Sequence, residues 1–298
     1  MLDRQVLQIQ PELELNERVR PFSSHRVTAN LVVLGDPGAG KTELFRQLAR
    51  AADGHFITVR NFLNTPAEAL PCDKSLWLDG LDETRGGRGD RGAIDRLVQK
   101  LHVVRPRALR LSCRVADWLG TSDLSALASY FDLCGGAPVV VQLQPLGRDE
   151  QWQILSAHGR SDPGGFLDDA QHRGLDGMLS NPQTLLMLHL AVQDAAWPTT
   201  RESLFEKATT LLLREPNVEH NERADVVHQQ TLASVTDAAG ALCALRLVSD
   251  CAGFSLQPEG TDEMPGWREI PLAEPAAIQA ALRRRAFASA VEPTSPHF

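Results

Sequence analysis

The hydrophobic positions of this chain change period once, near residue 146. Between Leu31 and Pro145, short apolar runs alternate with stretches in which apolar residues recur every three to four positions. That is the pattern of parallel strands joined by crossover helices. "LVVLG" (Leu31–Gly35) is a continuous apolar run and predicts a buried strand. "KTELFRQLARAA" (Lys41–Ala52) puts Leu44, Leu48 and Ala52 on one stripe and predicts a helix. "HFITVRNF" (His55–Phe62) alternates, is rich in β-formers and predicts a second strand, and "SLWLDGLDE" (Ser75–Glu83) is an apolar run that ends in acids. "AIDRLVQKLHVV" (Ala93–Val104) is amphipathic, while "ALRLSCR" (Ala108–Arg114) and "PVVVQLQPL" (Pro138–Leu146) predict a fourth and a fifth strand. The expected fold class is α/β, a parallel sheet with flanking helices.

After residue 146 the helical period takes over. "GRDEQWQILSAHG", "GLDGMLSNPQTLLMLHLAVQDA", "RESLFEKATTLLLREP" and "RADVVHQQTLASVTDAAGALCALRLV" all carry it, with Asp149 and Ser203 near helix starts as capping requires. The expected organisation is a lead segment over 1–30, an α/β core over 31–146 and an all-helical domain over 147–250. The last part, 251–298, is irregular sequence followed by a short helix, "AAIQAALRRRAFAS". "RGGRGDRG" (Arg85–Gly92) is the one low-complexity patch and reads as a mobile loop.

Composition narrows the partners. Apolar residues are 43% and charged residues 23%, the balance of a globular protein with a proper core. A net charge of −8 offers no general attraction to nucleic acid or to anionic membrane; Arg283, Arg284 and Arg285 are the local basic exception, read as a solvated helix face. No stretch reaches the ~20 apolar residues of a membrane span, and "MLDRQVLQIQPELELNERVR" lacks the order of a signal peptide. The five cysteines are scattered, without a C-x-x-C pair, and read as reduced buried thiols of a cytoplasmic protein.

Candidate chemistry starts at "GDPGAGKT", which matches G-x-x-x-x-G-K-[ST] with Gly35, Gly40, Lys41 and Thr42 in place. Glycines let the backbone curl so that successive N–H groups face phosphate oxygens, and the helix beginning near Lys41 turns its positive end to the same anion. Gly35, Asp36, Pro37, Gly38, Ala39, Gly40, Lys41, Thr42 and Glu43 form the expected phosphate-binding set. Lys41 would reach the β- and γ-phosphates and the Thr42 hydroxyl would ligate Mg²⁺. Downstream, Asp79 closes an apolar run, as an acid that holds Mg²⁺ does, and Asp82 or Glu83 could take a proton from an attacking water. Acids after a strand also suit a solvated loop; pairing with the Gly35 loop favours the catalytic reading. Arg114, at the end of "LSCR", would emerge at the carboxyl edge of the sheet, where a cation can stabilise a γ-phosphate or simply pair with Asp117 or Asp79.

Taken in order, "GDPGAGKT", "LWLDGLDE", "LSCRVADW" and "NPQTLLML" (Asn181–Leu188) resemble a signal-transduction P-loop NTPase of the NACHT type within the STAND class, especially bacterial members linked to antiphage defence. The likeness spans about Leu31 to Leu213. It implies ATP or ADP with Mg²⁺ as ligands, Asp79 as the metal-holding acid, Arg114 as a sensor arginine and Pro182 near the adenine or ribose. "SNP" is also an ordinary helix start with proline in the first turn. Members of that family continue into a winged helix and a sensor array. The chain stops where the winged helix is expected to begin, which implies a fragment or truncated member, self-association or missing sensor and effector domains, and His297 as a candidate for that domain's β-phosphate contact. The function implied is a slow ATP-hydrolysing switch. A non-hydrolysing ADP/ATP-binding scaffold and a faster AAA-type ATPase remain the alternatives.

Overall fold

The structure is a computed structural model and describes residues 2–9, 18–82, 91–133, 136–192, 197–198, 200–214, 231–249, 251, 253–261, 264–284 and 287. Glu83, Cys134, Arg285, His297 and most of the Arg85–Gly92 patch lie outside them.

Two strands precede the first one expected from sequence. β1 (Gln5–Gln8) and β2 (Val19–Pro21) are antiparallel to each other, and β1 pairs antiparallel with the far strand β7. Then come β3 (Asn30–Leu34), α1 (Lys41–Ala51), β4 (His55–Thr58), α2 (Val59–Asn64) and β5 (Ser75–Asp79). α3 (Arg91–Val104), β6 (Ala108–Cys113), α4 (Thr121–Leu133) and β7 (Val139–Leu143) complete the layer. The strands lie in the order β2-β1-β7-β3-β6-β5-β4, and β3 to β7 are mutually parallel. β3 sits at the centre, with β6 between it and β5. This is the α/β P-loop fold expected from the sequence, with an antiparallel pair added at one edge.

Alternation builds two cores on the two faces of the sheet. Val32 and Leu34 of β3 join Leu76, Leu78, Leu109 and Leu111 against Phe62 of α2, Leu97 and Leu101 of α3 and Tyr130 of α4. Leu31 and Val33 point the other way and join Val6, Phe45, Leu48, Trp77, Val141 and Leu143. Covering both faces is what makes the central strands apolar throughout rather than alternating.

Several boundaries differ from expectation for local reasons. α1 ends at Ala51 and buries Leu44, Phe45, Leu48 and Ala49, so Ala52 is its exposed C-cap and not part of the stripe. "HFITVRNF" is half strand: the Thr58 side chain accepts from Asn61 N at 3.2 Å and caps α2, which takes over at Val59. Gly80, at φ +78, turns the chain away at the end of β5. Of the described cysteines only Cys113 is buried. Cys72 and Cys243 are exposed, so the expectation of uniformly buried thiols does not hold, and none of the four is in a disulfide.

After β7 the described elements are helical apart from two isolated bridges. α5 (Arg148–Ala157), α6 (Pro163–His172), α7 (Asp176–Leu179) and the first part of α8 (Pro182–Ala191) belong with the sheet in one compact unit, residues 1–186. The second unit, residues 187–298, holds α9 (Arg201–Arg214), α10 (Leu232–Val248) and α11 (Pro275–Leu282). Its core gathers Leu213, Val235, Leu242, Phe254, Ile270, Ile278 and Leu282. Thr200 and Ser203 cap α9 reciprocally, and Thr231 caps α10. α11 stops at Leu282, short of the helix expected to run through Arg285. No helix among the described residues is long and apolar enough to cross a membrane.

Candidate functional site

The carboxyl ends of β3, β6 and β5 come level at the centre of the sheet, with Leu34 beside Cys113 and Leu78 beside Leu111. The loop from Gly35 leaves β3 there. Gly35 N donates to Cys113 O at 3.2 Å, which ties the loop's start to the neighbouring strand. Gly38 and Gly40 have φ of +75 and +88, conformations that only glycine adopts without strain. A side chain at Gly38 would also displace its neighbours, because its Cβ would fall 2.4 Å from Gln183 Oε1 and 2.8 Å from Gln183 Cβ. α1 follows at once from Lys41, so the amides of its first turn have no intrahelical carbonyl to bond and remain available at the helix's positive end.

Lys41 Nζ donates to Gly35 O at 2.6 Å and to Asp36 O at 3.2 Å. Burial lowers its pKa from the usual lysine value, partly opposed by Asp82 and Asp79 and reinforced by Arg114. Next to it, Thr42 Oγ1 donates to Asp79 Oδ2 at 2.6 Å, and Ser112 Oγ donates to Asp79 Oδ1 at 2.5 Å. Ser112 Oγ in turn accepts from Gly80 N at 2.9 Å. Asp79 is 5% exposed, and each of its carboxylate oxygens meets a hydroxyl.

Arg114 and Asp82 form a bidentate pair: Nε to Oδ2 at 2.8 Å, and the Arg114 backbone N to Oδ1 at 3.0 Å. Burial nevertheless pushes the Asp82 carboxyl above its usual range, with Arg114 and then Lys41 pulling it back. The ion pair of Arg114 is therefore with Asp82.

The remaining expected residues divide. Asp36 and Pro37 are exposed on the loop. Glu43 is exposed and accepts from Gln47 at 2.8 Å. Pro182 opens α8 and stands against the loop, its Cγ 3.6 Å from where a Cβ of Gly40 would be. Glu83 and His297 lie outside the described residues.

A cation fits this donor set. Among the described residues no group of three His, Cys, Asp or Glu side chains could hold a metal by itself. The Thr42 hydroxyl and Asp79 carboxylate are hard oxygen donors in contact. Mg²⁺ is held in just that way, by one or two protein oxygens with phosphate and water completing the shell.

Sequence reading missed four contributors. Ser112 steadies Asp79. Asn181 Nδ2 donates to Pro37 O at 3.0 Å and Gln183 N to Gly38 O at 3.3 Å. Arg4 Nη1 donates to Ala39 O at 2.7 Å. Asn181 and Gln183 flank the proline already singled out, so their place beside it was a usable signal; a lone arginine in a lead segment carried none.

No protein-family model matches the chain, and no curated protein matches it either. Solved structures to which it is similar include two variant forms of RuvB from Thermotoga maritima. The first is 13% identical, covering 79% of this chain and 75% of that one at a TM-score of 0.38. The second is 14% identical, covering 64% and 66% at 0.36. Likeness at that level adds no argument to the sheet order and loop geometry, and those two alone place the chain among α/β P-loop folds.

Proposed function

We propose that the chain is a Mg²⁺-dependent ATP-binding protein that hydrolyses ATP slowly and serves as a regulatory switch. In this reading it is of the NACHT type within the STAND class, cytoplasmic, and engaged in antiphage defence. The observation that carries the nucleotide reading is the 2.6 Å contact between Thr42 and Asp79. It brings the hydroxyl after the loop lysine onto the acid that ends β5, across 37 positions of sequence. A chance glycine turn has no reason to meet a buried carboxylate there.

The chain's own groups would act as follows. Lys41 would exchange its two carbonyl partners for phosphate oxygens, a trade its ammonium makes readily because it is a point charge on a flexible stem. Thr42 and Asp79 would hold Mg²⁺, which would supply charge neutralisation at the phosphates when bound. Ser112 would keep Asp79 in its rotamer. Arg114 lies beyond the end of β6, where it can meet a γ-phosphate. Asp82 could accept a proton from water only after Arg114 turns to the phosphate, which would couple the two roles.

That pairing also favours a second reading. While Arg114 holds Asp82, the acid is a poor base, and the protein would keep nucleotide without cleaving it. Lys41→Ala tests the binding claim: a fluorescent ATP analogue should lose nearly all affinity while circular dichroism stays unchanged. Undiminished affinity in the folded variant sinks the nucleotide reading. Turnover of the parent separates slow switch, silent scaffold and fast ATPase.

A further inference from the structure

Every carbonyl from Gly35 to Ala39 accepts a hydrogen bond, and the donors fall into two sets. Lys41 serves Gly35 and Asp36 from within the motif. The next three are held from distant segments, Pro37 by Asn181, Gly38 by Gln183 N and Ala39 by Arg4. Arg4 is the unusual member. It is 5% exposed and directly precedes β1, in a stretch that no sequence motif marks. Its guanidinium reaches three separate segments: Ala39 O through Nη1 at 2.7 Å, Gln144 O through Nη2 at 2.7 Å and Glu150 Oε1 through Nε at 3.1 Å. Glu150 is itself fixed, since Oε1 also accepts from Gln5 N at 3.1 Å and Oε2 from Gly147 N at 2.8 Å.

A buried ion pair is costly and does little for stability compared with an apolar pair of the same shape. Docking of β1 does not require it, because Val6 is fully buried and the ladder to β7 runs from Val6 to Gln8. What the guanidinium adds is orientation. A peptide unit is planar, so turning the Ala39 carbonyl toward Arg4 turns the Gly40 N–H the opposite way. Gly40 immediately precedes Lys41 and the first turn of α1.

We propose that Arg4, fixed by Glu150, is a positioning residue that sets the Ala39–Gly40 peptide for phosphate, so that docking of β1 on the sheet edge controls the affinity of the loop for nucleotide. The proposal rests on the nucleotide reading above. Lysine cannot replace it, because one ammonium cannot meet three acceptors spread over a planar fork.

The test uses Arg4→Met and Arg4→Lys in the full chain. Hydrogen exchange of the amides of Asp36 and of residues 38–42 is followed without nucleotide, and affinity and turnover are measured with Mg²⁺ and ATP. Arg4→Met should speed loop exchange and weaken affinity on the order of tenfold, the size of a charge-assisted hydrogen bond. Turnover at saturating ATP should hold, so the loss appears in KM and not in kcat. Arg4→Lys should fall between Arg4→Met and the parent. A folded Arg4→Met with parental loop exchange and affinity overturns the proposal. Should Arg4→Met fail to fold, Arg4→Lys decides by the same two readouts, parental values again overturning it. A parent that does not bind ATP removes the nucleotide reading, and loop exchange then decides on Arg4 by itself.

Discussion

Two sets of residues converge on the loop at 35–40, and they differ in how they were assembled. The motif set, Lys41, Thr42, Asp79 and Ser112, comes from the start of α1, directly after the loop, and from the ends of β5 and β6. The clamp set, Arg4, Asn181 and Gln183, comes from the residue before the first strand and from the start of α8 with the residue before it, far along the chain from the carbonyls it holds. The first set offers charges and hydroxyls to a ligand. The second holds backbone carbonyls of the loop. Chemistry is thus concentrated in short local stretches, while the shape that makes it usable is supplied by parts of the chain with no chemistry of their own.

The sharpest way to separate the sets is by metal dependence. Asp79→Asn should reduce the benefit of Mg²⁺ to ATP affinity by about tenfold to a hundredfold, since an amide keeps the shape, loses the charge and leaves one acceptor oxygen where Thr42 and Ser112 now use two. Arg4→Met should lower affinity equally with and without Mg²⁺. Titrations in magnesium and in EDTA would show it, and identical metal dependence in the two variants would mean that the two sets do not differ in role.

A smaller effect concerns acid. Because the Asp82 pKa is raised in the folded protein, that group adds stability at low pH, where it is protonated in both states, and the contribution is lost as pH rises through its raised value. Asp82→Asn carries no proton to lose, so the acid side of its melting-temperature profile should lack that component. Parallel profiles for the parent and Asp82→Asn would mean that Arg114 fully offsets the burial of the carboxylate.

How much of this was legible in the sequence follows from the same division. β3, β5, β6 and β7 were visible as apolar runs because both of their faces are covered, and "GDPGAGKT" was visible because the φ values at Gly38 and Gly40 demand glycine. β1 and β2 were not. Val6 is buried, whereas Gln5 and the three residues of β2 are exposed, so an edge pair leaves almost no hydrophobic signal. α4 was also unmarked, since its apolar residues form only a weak stripe around Leu127, Tyr130 and Phe131. Arg4 could not have been found, because only the fold brings it to Ala39.

The helical unit offers the mildest contrast. α10 buries Leu242 but leaves Leu247 86% and Val248 84% exposed. We propose self-association through this end, and Leu247→Asp with Val248→Asp should shift light-scattering mass toward the monomer at tens of micromolar. A monomer in the parent at all concentrations would remove the idea without touching the loop.

Binding of a nucleoside triphosphate through a metal by the Gly35–Thr42 segment with Asp79 is what everything proposed for this protein requires. Calorimetric titration of the parent and of Lys41→Ala with ATP, each with and without Mg²⁺, tests it most directly. Saturable one-to-one binding in the parent, tightened by Mg²⁺ and lost in folded Lys41→Ala, is the expected result. Absence of binding in the parent, or equal binding in both proteins, would contradict it.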